Sequence, residues 1–270
     1  MDIGLSSACF YPLETEKSVL RACETGAKTI EIFMNANSEF QPAFVKNMAE
    51  ICNSYGVKVA SVHTMGSFTE SFHLFSSYKR RFYEAKDTSF KRHFDVMHTL
   101  GAEFLVMHGI KKPGSIEDEE YFDRFGELAL MGKVEGLKIC QENVVHYRSE
   151  SPELLLRMGE YIGDDFNMVF DIKQSIRTGV DPFLFAEKLH KYIRHIHISD
   201  HNSEKDCFVP CKNGTFDFKR FFNMMKDLNY QGDFIIELYE NGYENDQELT
   251  FAMKEQKKYY KIFTLWFEVC

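Results

Sequence analysis

The sequence predicts an α/β fold, a single (β/α)8 TIM barrel, from three observations. Short apolar segments of strand type alternate with amphipathic helical segments along the whole chain. Most of the strand segments are continuous apolar runs, which is typical of parallel strands buried on both faces. Eight strand–helix units of about 30 residues fit the 270-residue chain. We therefore expect residues 1–270 to form one barrel domain.

The predicted strands follow one another without a proline-rich or serine-rich linker. In order they are Ile3–Cys9, Thr29–Phe33, Val57–His63, Phe104–His108, Leu137–Glu142, Met168–Asp171, Ile193–Ile198 and Phe234–Leu238.

Capping residues mark the helices between these strands. Ser151 and Asp181 each precede a proline, whose fixed φ suits the first helical turn. The apolar period of Tyr78–Leu100 predicts one long helix or two broken ones. Glycines that we expect to end helices in the left-handed conformation are Gly26, Gly56, Gly101, Gly163 and Gly232.

A doubly wound parallel sheet is the competing architecture. Such a sheet binds its ligand at a switch point, usually with a glycine-rich phosphate-binding turn. No G-x-G-x-x-G or P-loop pattern follows any predicted strand. The sequence therefore favours the barrel, in which the carboxyl ends of all strands open on one face.

Composition narrows the choice of partners and compartment. The net charge of −9 and the scattered Lys and Arg residues argue against a nucleic-acid partner. No apolar stretch approaches the roughly 18 residues that a membrane span requires. Seven irregularly spaced cysteines and the lack of a signal-peptide pattern favour a cytoplasmic location. Barrels of this kind often form dimers or tetramers, so a homo-oligomer is one assembly that the sequence allows.

Four polar residues stand at the trailing ends of the last four predicted strands. They are Glu142, Asp171, His197 and Glu237. In a parallel barrel these side chains converge at one end, where the three carboxylates repel one another unless a cation or protons neutralise them. Carboxylate oxygens with one imidazole suit Mn²⁺, Mg²⁺, Co²⁺ or Zn²⁺. The sequence therefore predicts a site for one divalent metal ion.

The order of these motifs resembles the xylose isomerase-like TIM barrel superfamily. The motifs are Glu142-Asn143, Phe170-Asp171-Ile172, the run His195–Asp200, and Ile235-Ile236-Glu237. The superfamily includes sugar isomerases, ketose 3-epimerases, inosose dehydratases and endonuclease IV enzymes. The resemblance covers essentially the whole chain, and it is more specific for the fold than for the substrate.

The resemblance implies that Glu142, Asp171, His197 and Glu237 are metal ligands. In the isomerase and epimerase branches it also implies that Glu142 and Glu237 act as the acid–base pair. A metal that chelates a carbonyl and its neighbouring hydroxyl would acidify the intervening C–H bond and stabilise an enediolate. One glutamate would then remove the proton and the other would return it.

Other residues near the same rim are expected to contact a small carbohydrate substrate. They are His63, His108, Gln174, Asp200 and His201. A buried structural role is the alternative for the first two histidines, and Asp200 or His201 is alternatively a hydrogen-bond support for His197. His195 is expected to be a satisfied histidine inside the barrel.

Two departures from the superfamily pattern separate the candidate functions. Many relatives read Asp-x-x-His where this chain has Asp171-Ile172-Lys173-Gln174, and the loop 208–214 lacks a histidine and a glycine that relatives often carry. Both losses disfavour an endonuclease IV-like phosphodiesterase with several zinc ions. Among the remaining functions, the sequence favours a metal-dependent isomerase or epimerase of a small keto sugar or sugar phosphate. An inosose-type dehydratase is the main alternative, and a non-catalytic carbohydrate-binding barrel is less favoured. For a phosphorylated substrate, the candidate phosphate-binding residues include Lys173, Lys205 and Lys212.

Overall fold

Eight parallel strands close into a barrel in sequence order, and the last strand pairs with the first. We describe a computed structural model that covers residues 1–64, 67–210 and 214–261. The strands are β1 (Ile3–Ser6), β2 (Thr29–Phe33), β3 (Lys58–His63), β4 (Phe104–Met107), β5 (Lys138–Glu142), β6 (Asn167–Asp171), β7 (Ile193–Ile198) and β8 (Phe234–Ile236). The predicted fold class is confirmed.

The first and last strands are shorter than the apolar runs that predicted them. The hydroxyl of Ser6 accepts a hydrogen bond from the Ala8 N–H at 3.3 Å, which turns the chain into a 3₁₀ helix over Ser7–Phe10. At the other end, β8 stops at Ile236. Hydrophobic patterning does not show where a side chain begins to hydrogen-bond the backbone in place of a neighbouring strand. The predicted strands were therefore too long.

The helices lie between consecutive strands on the outside of the barrel. They are α1 (Thr15–Glu24), α2 (Pro42–Tyr55), α3 (Ser67–His73), α4 (Lys79–Ala85), α5 (Arg92–Leu100), α6 (Asp118–Val134), α7 (Pro152–Ile162), α8 (Ile172–Arg177), α9 (Pro182–Leu189), α10 (Phe218–Asp227) and α11 (Asp246–Lys261). A π-helical turn, Lys86–Phe90, separates α4 from α5, so the predicted broken helix is present. Within the described ranges, no helix is both long and apolar enough to cross a bilayer.

The predicted helix caps form in most places. Ser151 accepts a hydrogen bond from the Leu154 N–H, and Asp181 accepts one from the Phe183 N–H. The first four predicted glycines have positive φ, although a ψ of −139° places Gly163 outside the left-handed helical region, and Gly232 does not have positive φ. A Cβ atom at Gly232 would lie 2.3 Å from the Arg194 carbonyl oxygen, so close backbone approach explains that glycine.

Two apolar layers hold the barrel. The outer layer packs strand side chains against helices, as where the ring of Phe170 lies 5.1 Å from Phe185 of α9 and 6.1 Å from Phe221 of α10. A smaller group is separate from this layer: Phe104, Val106, Cys140 and Val169. Because alternate residues of a strand point to opposite sides, this second group fills the barrel interior.

The same alternation places polar side chains above the interior apolar group. Residues two positions apart on a strand share one face. The pairs are Cys140 with Glu142, Val169 with Asp171, His195 with His197, and Ile235 with Glu237. Each pair points into the barrel, and the second member lies nearer the carboxyl end, where active sites of this architecture are found.

We predict that Gly4→Ala destabilises the protein by about 1–3 kcal/mol, because overpacking strains the surrounding structure. An added Cβ atom would lie 2.2 Å from the Thr29 carbonyl oxygen, in the wall between neighbouring strands. The matched control is Gly126→Ala on α6, where the nearest atom is 3.6 Å away. That variant should be neutral or more stable by up to about 1 kcal/mol, because alanine favours helices. Equal unfolding midpoints for the two variants in urea would contradict the prediction.

Candidate metal and substrate site

The structure brings four predicted residues together at the carboxyl end of the barrel. Glu142 and Asp171 are the last residues of β5 and β6, His197 lies one residue before the end of β7, and Glu237 directly follows β8. All four are buried. Their donor atoms lie within 4.8 Å of one another.

His197 is at the centre of this group. Its Nδ1 lies 3.3 Å from Glu142 Oε1, 3.5 Å from Glu237 Oε2 and 3.9 Å from Asp171 Oδ2. Donors that share one ion at about 2.1 Å are separated by roughly 3–4 Å. The spacing therefore suits a common divalent ion.

The carboxylate of Asp171 provides an independent test of that fit. Its Oδ1 accepts a hydrogen bond from the Gln174 N–H at 3.1 Å, whereas its Oδ2 is buried without a hydrogen-bond partner. Burial raises the pKa of Asp171 to about 7, against the opposing effect of Lys173, and repulsion by Glu237 adds to the rise. Oδ2 is desolvated and relies on an ion pair with Lys173, at 3.1 Å, in place of a hydrogen bond, so a divalent cation bound there would stabilise it further. The donor set fits a divalent metal.

Three imidazoles surround Glu142. His108 Nε2 and His63 Nε2 lie 3.1 Å and 3.3 Å from Glu142 Oε2, and His197 approaches the other oxygen. Burial disfavours the charged carboxylate, but these imidazoles outweigh burial and hold the pKa of Glu142 well below its usual value. His63 also donates from Nδ1 to the Thr64 carbonyl. Burial lowers the pKa of His63, but Glu142 outweighs that effect and raises the pKa to about 9.

Lys173 approaches the other two carboxylates. It is buried, and its Nζ lies 2.8 Å from Glu237 Oε2 and 3.1 Å from Asp171 Oδ2. Burial opposes the charge on this amine, but Asp171 and Glu237 raise the pKa of Lys173 well above its usual value. Lys173 entered the sequence interpretation only as a phosphate-binding candidate, so its pairing with two expected metal ligands was missed.

Glu31 on β2 is a second residue that the sequence interpretation missed. It is fully buried inside the barrel, and its Oε2 lies 3.1 Å from His197 Nε2 and 3.4 Å from His195 Nε2. Ser6 and Ser61 donate hydrogen bonds to its two oxygens. His197 therefore turns Nδ1 toward the other carboxylates and Nε2 toward Glu31, and this contact fixes the ring. The available signal was an acidic residue within the apolar run Thr29–Phe33.

His195 lies inside the barrel as expected, but only one of its two ring nitrogens is satisfied. His195 is buried, and its Nε2 lies 3.2 Å from the Ser61 hydroxyl, while its Nδ1 has no hydrogen-bond partner. Burial lowers its pKa. His195 also belongs to a group with Glu31 and His197 whose donor atoms lie close together, as do those of His63, His108 and Glu142.

A cavity of about 260 Å³ opens beside these residues. Its lining residues include Glu142, Glu237, His108, Lys173, Gln174, Phe33 and Tyr239. A cavity of this size is at the small end of the range for ligand pockets, which suits a small metabolite. A larger cavity of about 430 Å³ is lined by residues such as Met1, Lys58 and Gly232, which lie at the opposite end of the barrel and include none of the candidate residues.

The remaining predicted substrate contacts divide into two groups. His108 and Gln174 line the cavity, and Gln174 also accepts a hydrogen bond from the Val145 N–H. His63 is fully buried and stacks on Phe33 at 4.3 Å, so it lies behind the lining. The structural alternative for His63 therefore describes its position better.

Asp200 and His201 do not line this cavity, contrary to expectation. The Asp200 carboxylate accepts hydrogen bonds from the His201 and Phe216 N–H groups, which hold the loop after β7. A Cβ atom at Gly214 would lie within 2.0 Å of that carboxylate, which shows how tightly the loop packs. Asp200 does not support His197 either, since both ring nitrogens of His197 contact glutamates.

Two of the three candidate phosphate-binding lysines are described, and their surroundings differ. The ammonium of Lys173 is paired with carboxylates, and Lys205 donates to the Asn241 carbonyl. Lys212, with residues 211–213 of the same loop, lies outside the described residues.

The family follows from a sequence comparison. The model of the xylose isomerase-like TIM barrel matches residues 19–259. The chain belongs to this family. The resemblance seen in the strand-end motifs is confirmed.

Relatives of this xylose isomerase-like barrel are distant in sequence. An uncharacterised protein of Methanocaldococcus jannaschii is 24% identical over 254 residues, covering 88% of this chain and 83% of the relative. The inosose dehydratase of Histophilus somni is 22% identical over 184 residues, covering 55% of this chain and 61% of the dehydratase. The match thus spans about three fifths of the length of that dehydratase. The crystal structure of a D-tagatose 3-epimerase-like protein has a TM-score of 0.78 at 22% identity and covers 100% of both chains.

We predict that Glu31→Gln weakens metal binding about 10–100-fold, the usual effect of losing an outer hydrogen-bond partner of a metal ligand. The amide removes the negative charge and leaves one acceptor oxygen where two now serve His195, His197 and two serines. Isothermal titration with Mn²⁺ measures the change. Glu39→Gln is the matched control, because Glu39 is buried and its partners are Thr15 and Asn35. Equal affinities for Glu31→Gln and the wild type would contradict the prediction.

Proposed function

We propose that the protein is a divalent-metal-dependent isomerase or epimerase of a small keto sugar. In this proposal Glu142, Asp171, His197 and Glu237 hold the ion, and Glu142 and Glu237 also transfer the proton. The reaction is abstraction of a proton next to a carbonyl and its return through an enediolate of the substrate.

The position of the two glutamates carries the proposal. Glu142 and Glu237 line the cavity, whereas Asp171 and His197 do not and lie behind them. A group that takes part in general acid–base catalysis must come within hydrogen-bond distance of the substrate. Only the two glutamates of this set meet that requirement, which supports their assignment as the acid–base pair.

The surroundings keep both glutamates ionised, because neighbouring cationic groups lower the pKa of each against the opposing effect of burial. A bound divalent cation would polarise a carbonyl and an adjacent hydroxyl, which acidifies the C–H bond between them. The ionised Glu142 carboxylate is a base, and His108 lies 3.1 Å from it and lines the same cavity. His108 can therefore take up or supply a proton at Glu142 Oε2. Glu237 reaches the cavity from β8, and it is the candidate for exchanging a proton on the opposite side of the substrate.

The cavity lining favours an uncharged polyol substrate. Among the described lining residues, Lys173 is the sole lysine or arginine, and two carboxylates neutralise it. A phosphate group would therefore meet no unpaired cation in this part of the cavity. His108 and Gln174 offer hydrogen-bonding groups to hydroxyls, and Phe33 and Tyr239 add aromatic surface.

The comparisons agree with this choice of chemistry. The family is named for an isomerase of xylose, and one structural relative is described as D-tagatose 3-epimerase-like. We carry the chemical class, rather than the particular sugar, from these proteins to this chain.

An inosose-type dehydration is the second candidate, because several inosose dehydratases are among the sequence relatives. The same pair of glutamates would serve this reaction. One would remove the proton next to the carbonyl, and the other would protonate the departing hydroxyl. The two candidates share their first step and differ in whether water is lost.

Solvent exchange separates the candidates. Metal-loaded protein is incubated in D₂O with a panel of ketohexoses and with an inosose, and the products are followed by NMR and mass spectrometry. Deuterium next to the carbonyl together with an epimer or aldose supports the isomerase or epimerase. Loss of water supports the dehydratase. If no compound in the panel exchanges or loses water, the protein is better described as a binding barrel and the proposal fails.

We predict that Glu142→Gln and Glu237→Gln each lower turnover by about 10²–10⁴-fold, the range expected for loss of a general acid or base. Deuterium incorporation should fall in parallel, because the amide accepts no proton from carbon. The matched control is Glu240→Gln, an exposed position three residues beyond Glu237, which should retain wild-type rates. A Glu142→Gln or Glu237→Gln variant with full activity would exclude the role assigned to that glutamate.

A further inference from the structure

Lys173 is placed unusually for a lysine, because lysines are rarely buried in proteins. It is the second residue of α8, two positions after Asp171, and its side chain is buried beside the proposed metal ligands. A buried ammonium is unfavourable unless it is paired and hydrogen-bonded. Here the pairing partners are Asp171 and Glu237, at 3.1 Å and 2.8 Å.

The ammonium contacts the same oxygen atoms that face His197. Lys173 Nζ lies nearest Glu237 Oε2 and Asp171 Oδ2. These two atoms are also the ones measured at 3.5 Å and 3.9 Å from His197 Nδ1. A divalent ion held by these oxygens and by His197 would therefore lie close to the ammonium, and the two positive charges would repel each other.

The ammonium also borders the cavity and an aromatic ring. Lys173 lines the cavity, and its Nζ lies 5.2 Å from the centre of the Tyr239 ring, which lines the cavity as well. A cation at this distance from an aromatic face is stabilised. A shift of the side chain away from the carboxylates toward the cavity would keep the ammonium near Tyr239.

We infer that Lys173 is a tethered cation that competes with the divalent metal for Asp171 and Glu237. This inference rests on the proposed function, because it requires a metal at the same site. Without metal, the ammonium neutralises the two carboxylates and keeps them in the arrangement that the ion needs. When metal binds, the ammonium moves away from the shared oxygens toward the cavity. Lys173 thereby stabilises the metal-free protein and lowers its affinity for the ion.

The test measures metal affinity and stability rather than turnover. Lys173→Met keeps the length of the side chain and removes the charge. We expect its dissociation constant for Mn²⁺, measured by isothermal titration, to fall at least about tenfold, because a repelling charge is gone. Its metal-free form should unfold roughly 5 °C or more below the wild type, since two buried carboxylates lose their partner. Lys205→Met removes one positive charge at an exposed position and should leave the dissociation constant within about twofold of the wild-type value.

A second measurement on the wild-type protein does not depend on whether the variant folds. Lysine acetylation is followed by mass spectrometry with and without saturating Mn²⁺. Lys173 should be protected in the metal-free protein and should react several-fold faster in the metal-loaded protein, while Lys205 reacts equally in both. An unchanged or slower reaction of Lys173 on metal loading overturns the inference, as does an unchanged dissociation constant in Lys173→Met.

The outcomes also separate this inference from the proposed function. Tighter Mn²⁺ binding by Lys173→Met without any substrate exchange by the wild type supports competition and counts against the isomerase. Deuterium exchange into a sugar that depends on Glu142 and Glu237 supports the isomerase. If Lys173→Met leaves the dissociation constant for Mn²⁺ unchanged in the same protein, the result counts against competition.

Discussion

Buried negative charge at the mouth of the barrel is the constraint on which the rest of the site depends. Glu31, Glu142, Asp171 and Glu237 are all withdrawn from water, and carboxylates so close together cannot all remain ionised without compensation. The charge of the surrounding side chains therefore matters as much as their shape. This requirement explains why imidazoles and an ammonium occupy positions that apolar residues fill deeper in the barrel.

The buried carboxylates are stabilised by different groups on the two sides of His197. On the side of β5, His63 and His108 contact one oxygen of Glu142 and His197 contacts the other. On the side of β6 and β8, the ammonium of Lys173 supplies the charge, yet Asp171 Oδ2 still lacks a hydrogen bond. The hydrogen bonding of the carboxylates is therefore less complete on the side of Asp171 and Glu237. That asymmetry indicates where an added cation gains most.

The sequence predicted those parts of the structure that depend on periodicity. Parallel strands put their carboxyl ends on one face, so Glu142, Asp171, His197 and Glu237 could be grouped before any coordinates were known. Interactions between distant side chains left no such pattern. Glu31 was overlooked because it lies in the middle of an apolar strand, and its partner His197 is far away in sequence.

Loop geometry caused the main errors. Asp200 lies two residues beyond the end of β7 and was expected to face a substrate, but the chain folds back so that Asp200 and Phe208 form an isolated antiparallel bridge. The carboxylate then binds backbone N–H groups of its own loop. Such local side-chain to backbone bonding depends on turn conformation, which hydrophobic patterning does not encode. For Lys173, the pairing depends on β8, which is distant in the chain.

The two oxygens of Asp171 serve different parts of the molecule. Oδ1 accepts the N–H that begins α8, and Oδ2 faces Lys173 and His197. Fraying at the start of α8 would free this carboxylate to rotate, and a ligand that fixes Oδ2 would in turn favour the first turn of the helix. Thermodynamic linkage then requires that site occupancy and local helix order strengthen each other. The order of this short, largely buried helix is thereby coupled to the charge at the centre of the barrel.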